Sequence, residues 1–283
     1  MRPIRPALLV LSLLALAARP AAAEEWNRTF PIRQHATLEL TTDDGRVEVH
    51  TWNRPEIAVK VVTIGWHINP QGVRITPVQD GDRVSLEVRL PHIRWDFGFA
   101  LRSVRVEVSM PARGELAIST GDGGVSVGPL EGTIHVHTGD GGITLDHPHG
   151  AVDLQSGDGH ITATNVDGAL SVVTGDGGID VDGRFDVLDL ESGDGRITAT
   201  ARAASKLGEN WSLRSGDGSV TLRLPPALDA TLDASTGDGR VSVELPLRME
   251  GTIDRHHLRG TLNHGGRTLR VHTGDGPVRI LSS

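Results

Sequence analysis

The sequence predicts an all-β protein, and more specifically a parallel β-solenoid (β-helix) with 18-residue coils of two short strands. Three observations predict this fold: a recurring Gly-Asp-Gly turn, a finer step of apolar residues, and glycine-rich corners. The Asp of the turn recurs every 18 residues, at Asp122, Asp140, Asp158, Asp176 and Asp194. A fixed period of this length is typical of repeat architectures, in which each unit stacks on its neighbour.

Apolar-x-apolar triplets recur every nine positions between these turns. The triplets begin at Leu116, Val125, Ile134, Ile143, Val152, Ile161, Leu170, Ile179, Leu188 and Ile197. Because side chains two apart on a strand share a face, both apolar residues of a triplet are expected to point inward. Two triplets and two unlike corners make one coil, and stacked coils bury a thin continuous core.

Glycines mark the second type of corner, at Gly132, Gly150 and Gly168, again 18 residues apart. Glycine adopts positive φ without steric cost, which suits a tight corner. Asp-Gly between alternating apolar runs also indicates β-hairpins, so a hairpin meander is the alternative fold. Constant spacing over ten strands favours the solenoid, because every coil must align with the one below it.

The first 23 residues predict a secretory signal peptide. They contain Arg2 and Arg5, an apolar run over residues 7–18, and three alanines ending at Ala23. The run is too short to span a bilayer, so we expect no transmembrane segment. The sequence contains no cysteine, which excludes disulfides and a lipid-modified cysteine. We therefore expect an exported protein that is periplasmic, located at the cell surface, or secreted.

Three segments are expected along the chain. They are a signal peptide (1–23), an N-terminal β region that caps the solenoid (24–113), and the solenoid repeat region (114–283). Longer strands are expected at 57–64, 84–90 and 104–108, and a helical or irregular insert at 201–210. An end coil near Ile280 is expected to be exposed, and unpaired strand edges invite self-association through the solenoid ends.

The charge balance argues against nucleic acid as a partner. The formal net charge is −8, and removing the predicted signal peptide takes away three further arginines. A protein of this charge does not attract the phosphate backbone or an anionic membrane surface through bulk electrostatics.

Several motifs together carry a family resemblance. An Asp-Gly turn is followed by Val47-x-Val49-x-x-Trp52, and residues 105–111 read Arg-Val-Glu-Val-Ser-Met-Pro before the tandem Thr-Gly-Asp-Gly-Gly-Val repeats. These motifs resemble a bacterial β-strand-repeat family called "putative adhesins", a domain family of unknown function. The resemblance extends from about residue 30 over nearly all of the remaining chain. It implies a right-handed parallel β-helix and supplies no catalytic residues.

The five repeated aspartates are the first candidate site. Stacked strands lie about 4.8 Å apart, so the carboxylates would form a column in which neighbours repel by about 1 kcal/mol in water. Each Asp could accept N–H groups of its own turn, beside a row of hydroxyls from the preceding Ser or Thr. The alternative is a low-affinity calcium ladder, although calcium requires six to eight oxygen ligands. We expect no other cofactor.

Histidines form a second candidate site. His135 and His137 flank an inward residue, so both point outward, and Asp153 occupies the position one coil after His135. A His-Asp pair is therefore expected, whereas His147 and His149 lie on a different corner. Zinc needs three or four convergent ligands, so we interpret these histidines as exposed surface residues.

The third candidate site is an aromatic segment that contains Trp95, Phe97 and Phe99. Alternate aromatic residues lie on one face of a strand or hairpin. The segment is expected to cap the open end of the solenoid core. The alternative is an exposed patch that binds a carbohydrate or a peptide.

The sequence favours a structural, adhesin-like or binding module, whose ligand is an unidentified protein or carbohydrate, over an enzyme. Polysaccharide-cleaving β-helices place acids and arginines together on one face. Here the outward acids Asp153, Asp189 and Glu191 have no Arg or Lys in register through the regular repeats. We therefore expect no catalytic residues. The alternatives are a calcium-binding solenoid and a carbohydrate-active β-helix enzyme.

Overall fold

The fold is all-β, as the sequence predicted. The computed structural model describes residues 23–91, 102–249 and 254–283, and the regular elements of these segments are β-strands. Residues 1–22 of the predicted signal peptide lie outside the described residues. The candidate aromatic patch of Trp95, Phe97 and Phe99 also lies outside them.

Seven strands precede the regular repeats. They are β1 (Ala23–Pro31), β2 (Ala36–Thr42), β3 (Arg46–Trp52), β4 (Glu56–Ile64), β5 (Arg74–Asp80), β6 (Arg83–Arg89) and β7 (Ser103–Pro111). Alternate apolar residues form the inner faces, and Leu38, Leu40 and Val84 are almost fully buried. The longer strands predicted at 57–64, 84–90 and 104–108 correspond to β4, β6 and β7.

Ten strands form the middle of the molecule. They are β8 (Arg113–Thr120), β9 (Val125–Val127), β10 (Leu130–Thr138), β11 (Ile143–Asp146), β12 (Pro148–Ser156), β13 (Ile161–Thr174), β14 (Ile179–Ser192), β15 (Ile197–Ala201), β16 (Trp211–Ser215) and β17 (Val220–Leu224). Strand β13 runs through a corner, where its register shifts between Ala163 and Val166 and Asn165 has a φ of +56°. The segment between β15 and β16 is irregular and contains no helix.

Six strands complete the chain. They are β18 (Ala230–Thr236), β19 (Val241–Val243), β20 (Arg248–Met249), β21 (His257–Leu262), β22 (Thr268–Thr273) and β23 (Val278–Ser282).

Strands of the middle region pair in parallel with partners 18 residues before and after them. Ile134 on β10 pairs with Leu116 on β8 and with Val152 on β12. Ile143 on β11 pairs in the same way with Val125 and Ile161. The pairing register therefore equals the sequence period. Because these pairs are parallel, the hairpin meander is wrong for this region.

The pairs form two ladders, named here A and B. Ladder A contains β9, β11, the first residues of β13 and β14, then β15 and β17. Ladder B contains β8, β10, β12, the remaining residues of β13 and β14, then β16. Each 18-residue repeat contributes one strand to each ladder.

At the N-terminal end, the order of strands in space differs from their order in the chain. In ladder A, β3 lies between β9 and β7, and β4 and then β1 follow antiparallel. In ladder B, β2 lies between β8 and β6, and β5 follows antiparallel. The first repeat-like strands, β2 and β3, are therefore inside the stack.

The C-terminal end repeats this arrangement. In ladder A, β23 lies between β17 and β19, and in ladder B β22 lies between β16 and β18, after which β21 and β20 follow antiparallel. Ile280 pairs with Leu222 on one side and Val243 on the other. The expectation of an exposed end coil near Ile280 is therefore wrong, because the strands that bear it are inserted between two others.

One continuous apolar cluster forms the core and includes inward residues of both ladders. Burying each Leu, Ile or Val side chain stabilises the fold by about 1.5–3 kcal/mol relative to exposure. Phe185 and Trp211 are fully buried and pack edge to face, with ring centroids 6.1 Å apart. These two large rings fill the core beside the irregular segment between β15 and β16.

The second type of corner requires glycine, as the sequence predicted. Gly132, Gly150 and Gly168 have φ values of +144°, +124° and +140°. A Cβ added to Gly150 would lie 2.3 Å from the carbonyl oxygen of Gly132, which is far inside van der Waals contact. Close stacking of successive corners therefore leaves no room for a side chain.

Candidate functional site

The repeated aspartates form an exposed column along one edge of the molecule. A Cβ added to Gly139 would lie 3.1 Å from Asp122 Oδ1, and one added to Gly157 would lie 3.1 Å from Asp140 Oδ1. Each carboxylate thus lies over the glycine that precedes the next Asp of the column. All five candidate aspartates are exposed to solvent. Solvent is what keeps the repulsion between neighbouring charges near about 1 kcal/mol.

A buried column of hydroxyls supports these turns. Thr138 Oγ1 donates to the carbonyl oxygens of Gly121 (3.0 Å) and Gly123 (3.1 Å) in the preceding turn, and it accepts the N–H of Gly141 at 3.1 Å. Equivalent bonds are made by Ser156, Ser192, Ser215 and Thr236. The hydroxyl, and not the carboxylate as the sequence suggested, accepts the turn N–H.

The Asp side chains are therefore not used to build their turns. Within the described residues, no hydrogen bond or ion pair involves the carboxylates of Asp122, Asp140, Asp158, Asp176 or Asp194. The same part of the chain contains no group of three or more His, Cys, Asp or Glu side chains that could hold a metal ion. The column presents one carboxylate per level, which is fewer oxygens than a calcium ion normally binds.

The surface histidines pair with carboxylates. His135 and Asp153 are register partners, as predicted, with Nδ1 and Oδ2 3.9 Å apart. His149 Nδ1 lies 3.1 Å from Asp167 Oδ2 at a different edge. These side chains are more than a third exposed, which fits the interpretation as surface residues and not as metal ligands.

An arginine joins two acids at the second type of corner. Arg184 hydrogen-bonds both carboxylate oxygens of Asp186, at 2.6 and 2.9 Å, and also contacts Asp167. These bonds, Asp186 first and then Asp167, raise the pKa of Arg184 above its usual value. The hydrogen bond from Arg184 lowers the pKa of the Asp167 carboxyl. The cluster was missed because a register shift in β13 breaks the 18-residue step between Asp167 and Arg184.

A second acid–arginine neighbour pair corrects the sequence interpretation. Glu191 on β14 is the register partner of Arg214 on β16. No Arg stood in register by the 18-residue step, because the irregular segment before β16 lengthens this interval. The two residues lie on the outer face of ladder B, with no nucleophile assigned beside them.

A cavity of about 600 Å³ lies at the N-terminal end of the molecule. Its lining includes Trp52, whose Nε1 donates to the carbonyl oxygen of Glu56 at 2.9 Å. The guanidinium carbon of Arg54 lies 4.9 Å from the centroid of the Trp52 ring. Arg33 and Arg113 also line the cavity. The sequence gave no signal for this site beyond Trp52 itself, because three distant segments form it.

Fold and site together define an exposed, acid-rich repeat protein of parallel β-ladders with closed ends. The chain belongs to the Toastrack DUF4097 family, whose match covers residues 35–281. This membership confirms the resemblance to a domain family of unknown function that spans nearly all of the chain after residue 30. No match to the chain is found among curated proteins.

Solved structures similar to this chain include two bacterial adhesins named "putative". The one from Bacteroides fragilis has a TM-score of 0.45 and 11% identity, covering 91% of this chain and 97% of its own. The one from Parabacteroides distasonis has a TM-score of 0.45 and 10% identity, with the same coverage of 91% and 97%. A "putative cell adhesion protein" from Clostridium sporogenes has a TM-score of 0.35 and 11% identity, covering 93% and 100%.

A membrane-spanning helix is not found in the described segments: none of their elements is a helix long and apolar enough to cross a bilayer.

Proposed function

We propose that this chain is an exported, non-enzymatic parallel β-solenoid that acts as a structural, adhesin-like or ligand-binding module. The observation that carries the proposal is the parallel pairing of Leu116, Ile134, Val152 and Leu170 at successive 18-residue steps. Coils of equal length that stack on one another require this register. Solenoids present long, rigid surfaces, and recognition of a partner is the use to which such surfaces are suited.

The proposed organisation has three parts. Residues 1–23 are a signal peptide, 24–113 a capping β region, and 114–283 the solenoid. The boundary near residue 113 is supported by the change from antiparallel neighbours at β4 and β5 to parallel neighbours from β8 onward. The export proposal is supported by the basic and apolar composition of residues 2–23.

Export is tested by cell fractionation. The full chain should appear in the periplasmic, surface or secreted fraction, and a chain lacking residues 2–23 should stay in the cytoplasm. Full-length protein that stays in the cytoplasm would remove this part of the proposal.

Binding is tested with labelled protein on arrays of glycans and extracellular matrix proteins. Saturable binding that unlabelled protein displaces would support the module. The same preparation is incubated with polysaccharides, and release of new reducing ends is measured. A protein that binds nothing on the arrays and releases reducing ends would replace the proposal with a carbohydrate-active enzyme.

A calcium-binding solenoid is the second candidate, and the aligned column of exposed aspartates favours it. A ligand that binds only the native state raises its melting temperature. Melting curves of the wild type in EDTA and in millimolar CaCl₂ therefore test it, with the Asp140→Asn, Asp158→Asn double variant as control. A rise with calcium that the double variant lacks supports the calcium site, and equal curves in EDTA and calcium exclude it.

A further inference from the structure

The cavity beside Trp52 exists because the chain leaves the repeat path at this point. Trp52 ends β3, and instead of entering a regular corner the chain passes Pro55 and returns as β4, antiparallel to β7. The end of β1 and the turn between β7 and β8 form the other walls, which include Ile32 and Pro111. A volume of about 600 Å³ lies within the range of pockets that bind small ligands.

The charge of this cavity is opposite to that of the protein. Arg33, Arg54 and Arg113 line it, and none of the described lining residues is acidic, although the whole chain has a formal net charge of −8. Arg113 donates only its Nε–H to Glu131, at 2.7 Å, and Arg54 Nη1 lies 3.7 Å from Glu56. A guanidinium has five N–H donors, so each of these two arginines has donors left for a ligand.

Trp52 fixes the orientation of one of these arginines. The Arg54 guanidinium stacks on the indole ring at 4.9 Å while its side chain remains 67% exposed. A stacked guanidinium uses its face for the ring and keeps its edge N–H groups available. This edge matches the two oxygens of a carboxylate, which it binds through two parallel hydrogen bonds.

The remaining walls combine apolar and neutral polar groups. Ile32, Pro55 and Pro111 provide apolar surface, whereas Asn53 and Gln34 carry side-chain amides that both donate and accept hydrogen bonds. A ligand that satisfies all of these groups has a carboxylate, an apolar ring face and several hydroxyls.

We propose that this cavity binds an acidic sugar, namely a hexuronic acid unit of a polysaccharide. The carboxylate binds the edges of Arg54 and Arg113, the C–H face of the sugar ring packs on the proline and isoleucine walls, and the hydroxyls bind the amides. The inference rests on the proposed function as a binding module and names the class of its ligand.

The experiment is titration calorimetry of the full chain with a short galacturonic acid oligomer and, in parallel, with a glucose oligomer of the same length. Wild-type protein should bind only the acidic oligomer, and more weakly as the salt concentration rises. The Arg54→Ala, Arg113→Ala double variant should lose about tenfold or more in affinity, because charge-assisted hydrogen bonds disappear. Arg223→Ala removes an exposed arginine of β17 and should leave the affinity unchanged.

Folding of each variant is checked by its melting curve, and Arg54→Lys separates charge from geometry. Lysine keeps the positive charge but lacks the planar fork, so Arg54→Lys should still bind the acidic oligomer less tightly than the wild type. Equal binding of both oligomers would overturn the inference, as would a folded double variant with wild-type affinity or equal affinity for inorganic phosphate. A double variant that keeps its binding on the glycan and matrix arrays would discard this cavity and leave the proposed function standing.

Discussion

The middle of the molecule and its two ends use similar strands in different orders. From β8 to β17, each pair of strands stacks on the pair that precedes it in the chain. At the N-terminal end β2 and β3 lie inside β6 and β7, and at the C-terminal end β22 and β23 lie inside β18 and β19. Antiparallel strands, β4 and β5 at one end and β21 at the other, then follow outside.

This difference shows what a repeat cannot do for itself. A stack of identical parallel units leaves unpaired strand edges and an open core at both ends. Both ends of this protein place a repeat-like pair of strands in the interior and finish with antiparallel strands of different length. The less regular sequence at the ends therefore serves closure, and the regular sequence serves stacking.

The largest expected effect comes from the crowded corner of the middle region. Gly150→Ala would place a Cβ 2.3 Å from the Gly132 carbonyl oxygen at a φ of +124°, and should lower the free energy of unfolding by about 4 kcal/mol or more. Gly81→Ala is the matched control at the N-terminal end. Gly81 has a φ of +60° and nothing within 4 Å of an added Cβ, so it should lose only about 1 kcal/mol. Urea denaturation measures both, and equal losses would mean that corner stacking is not the cause.

The next effect tests whether the C-terminal strands are interior. Ile280→Ala should cost about 2–5 kcal/mol, as should Ile143→Ala in the middle, because both side chains are fully buried. Val243→Ala, on the outer strand β19, should cost about 1 kcal/mol, since Val243 is only partly buried. Thermal unfolding compares the three, and an Ile280 variant as mild as that of Val243 would contradict the inserted position.

A smaller effect separates two members of the hydroxyl column. Thr138→Val removes a buried hydroxyl with three hydrogen-bond partners and should cost about 1–3 kcal/mol. Thr120→Val makes the same change where Oγ1 is buried without a hydrogen-bond partner, so its unfolding free energy should change by less than about 0.5 kcal/mol. Denaturant unfolding of the two variants is the measurement, and equal costs would refute the role of these bonds.

The smallest effect depends on pH. Because the folded-state pKa of Asp167 is lowered, chiefly by Arg184, its stabilisation is present above the unfolded pKa of about 3.9 and is lost as pH falls through the folded pKa. The side chain is 44% exposed, so this stabilisation is below about 1 kcal/mol. Asp167→Asn should lower stability at neutral pH and flatten its decline below about pH 4. A variant with the wild-type pH profile would contradict it.

Much of the middle region could be predicted from the sequence. Residues 116–199 repeat without insertion, so one period fixes both the pairing of Ile134 with Val152 and the alignment of the aspartates. The His135–Asp153 pair follows from the same register. The role of the Thr138 hydroxyl did not follow, because period alone does not say which side chain of a turn accepts its N–H group.

The ends could not be predicted in the same way. Residues 36–49 carry the nine-residue step, but nothing in them indicates that β6 and β7 will lie outside them. The irregular segment after β15 conceals the register partner of Glu191. The cavity beside Trp52 joins segments near residues 32, 52 and 112, and no local pattern connects positions that far apart in the chain.

The inserted C-terminal strands have a consequence for the order in which the protein can be completed. On both sides of β22 and β23 the neighbouring strands are synthesised first, and β23 begins 35 residues after β19 ends. At roughly 5–20 residues per second, the space between β17 and β19 waits for a few seconds of translation before its strand exists. During this interval the facing edges of β17 and β19 can pair with any other extended chain. Completion of this end is therefore timed by synthesis of the last strands and not by the folding of those around them.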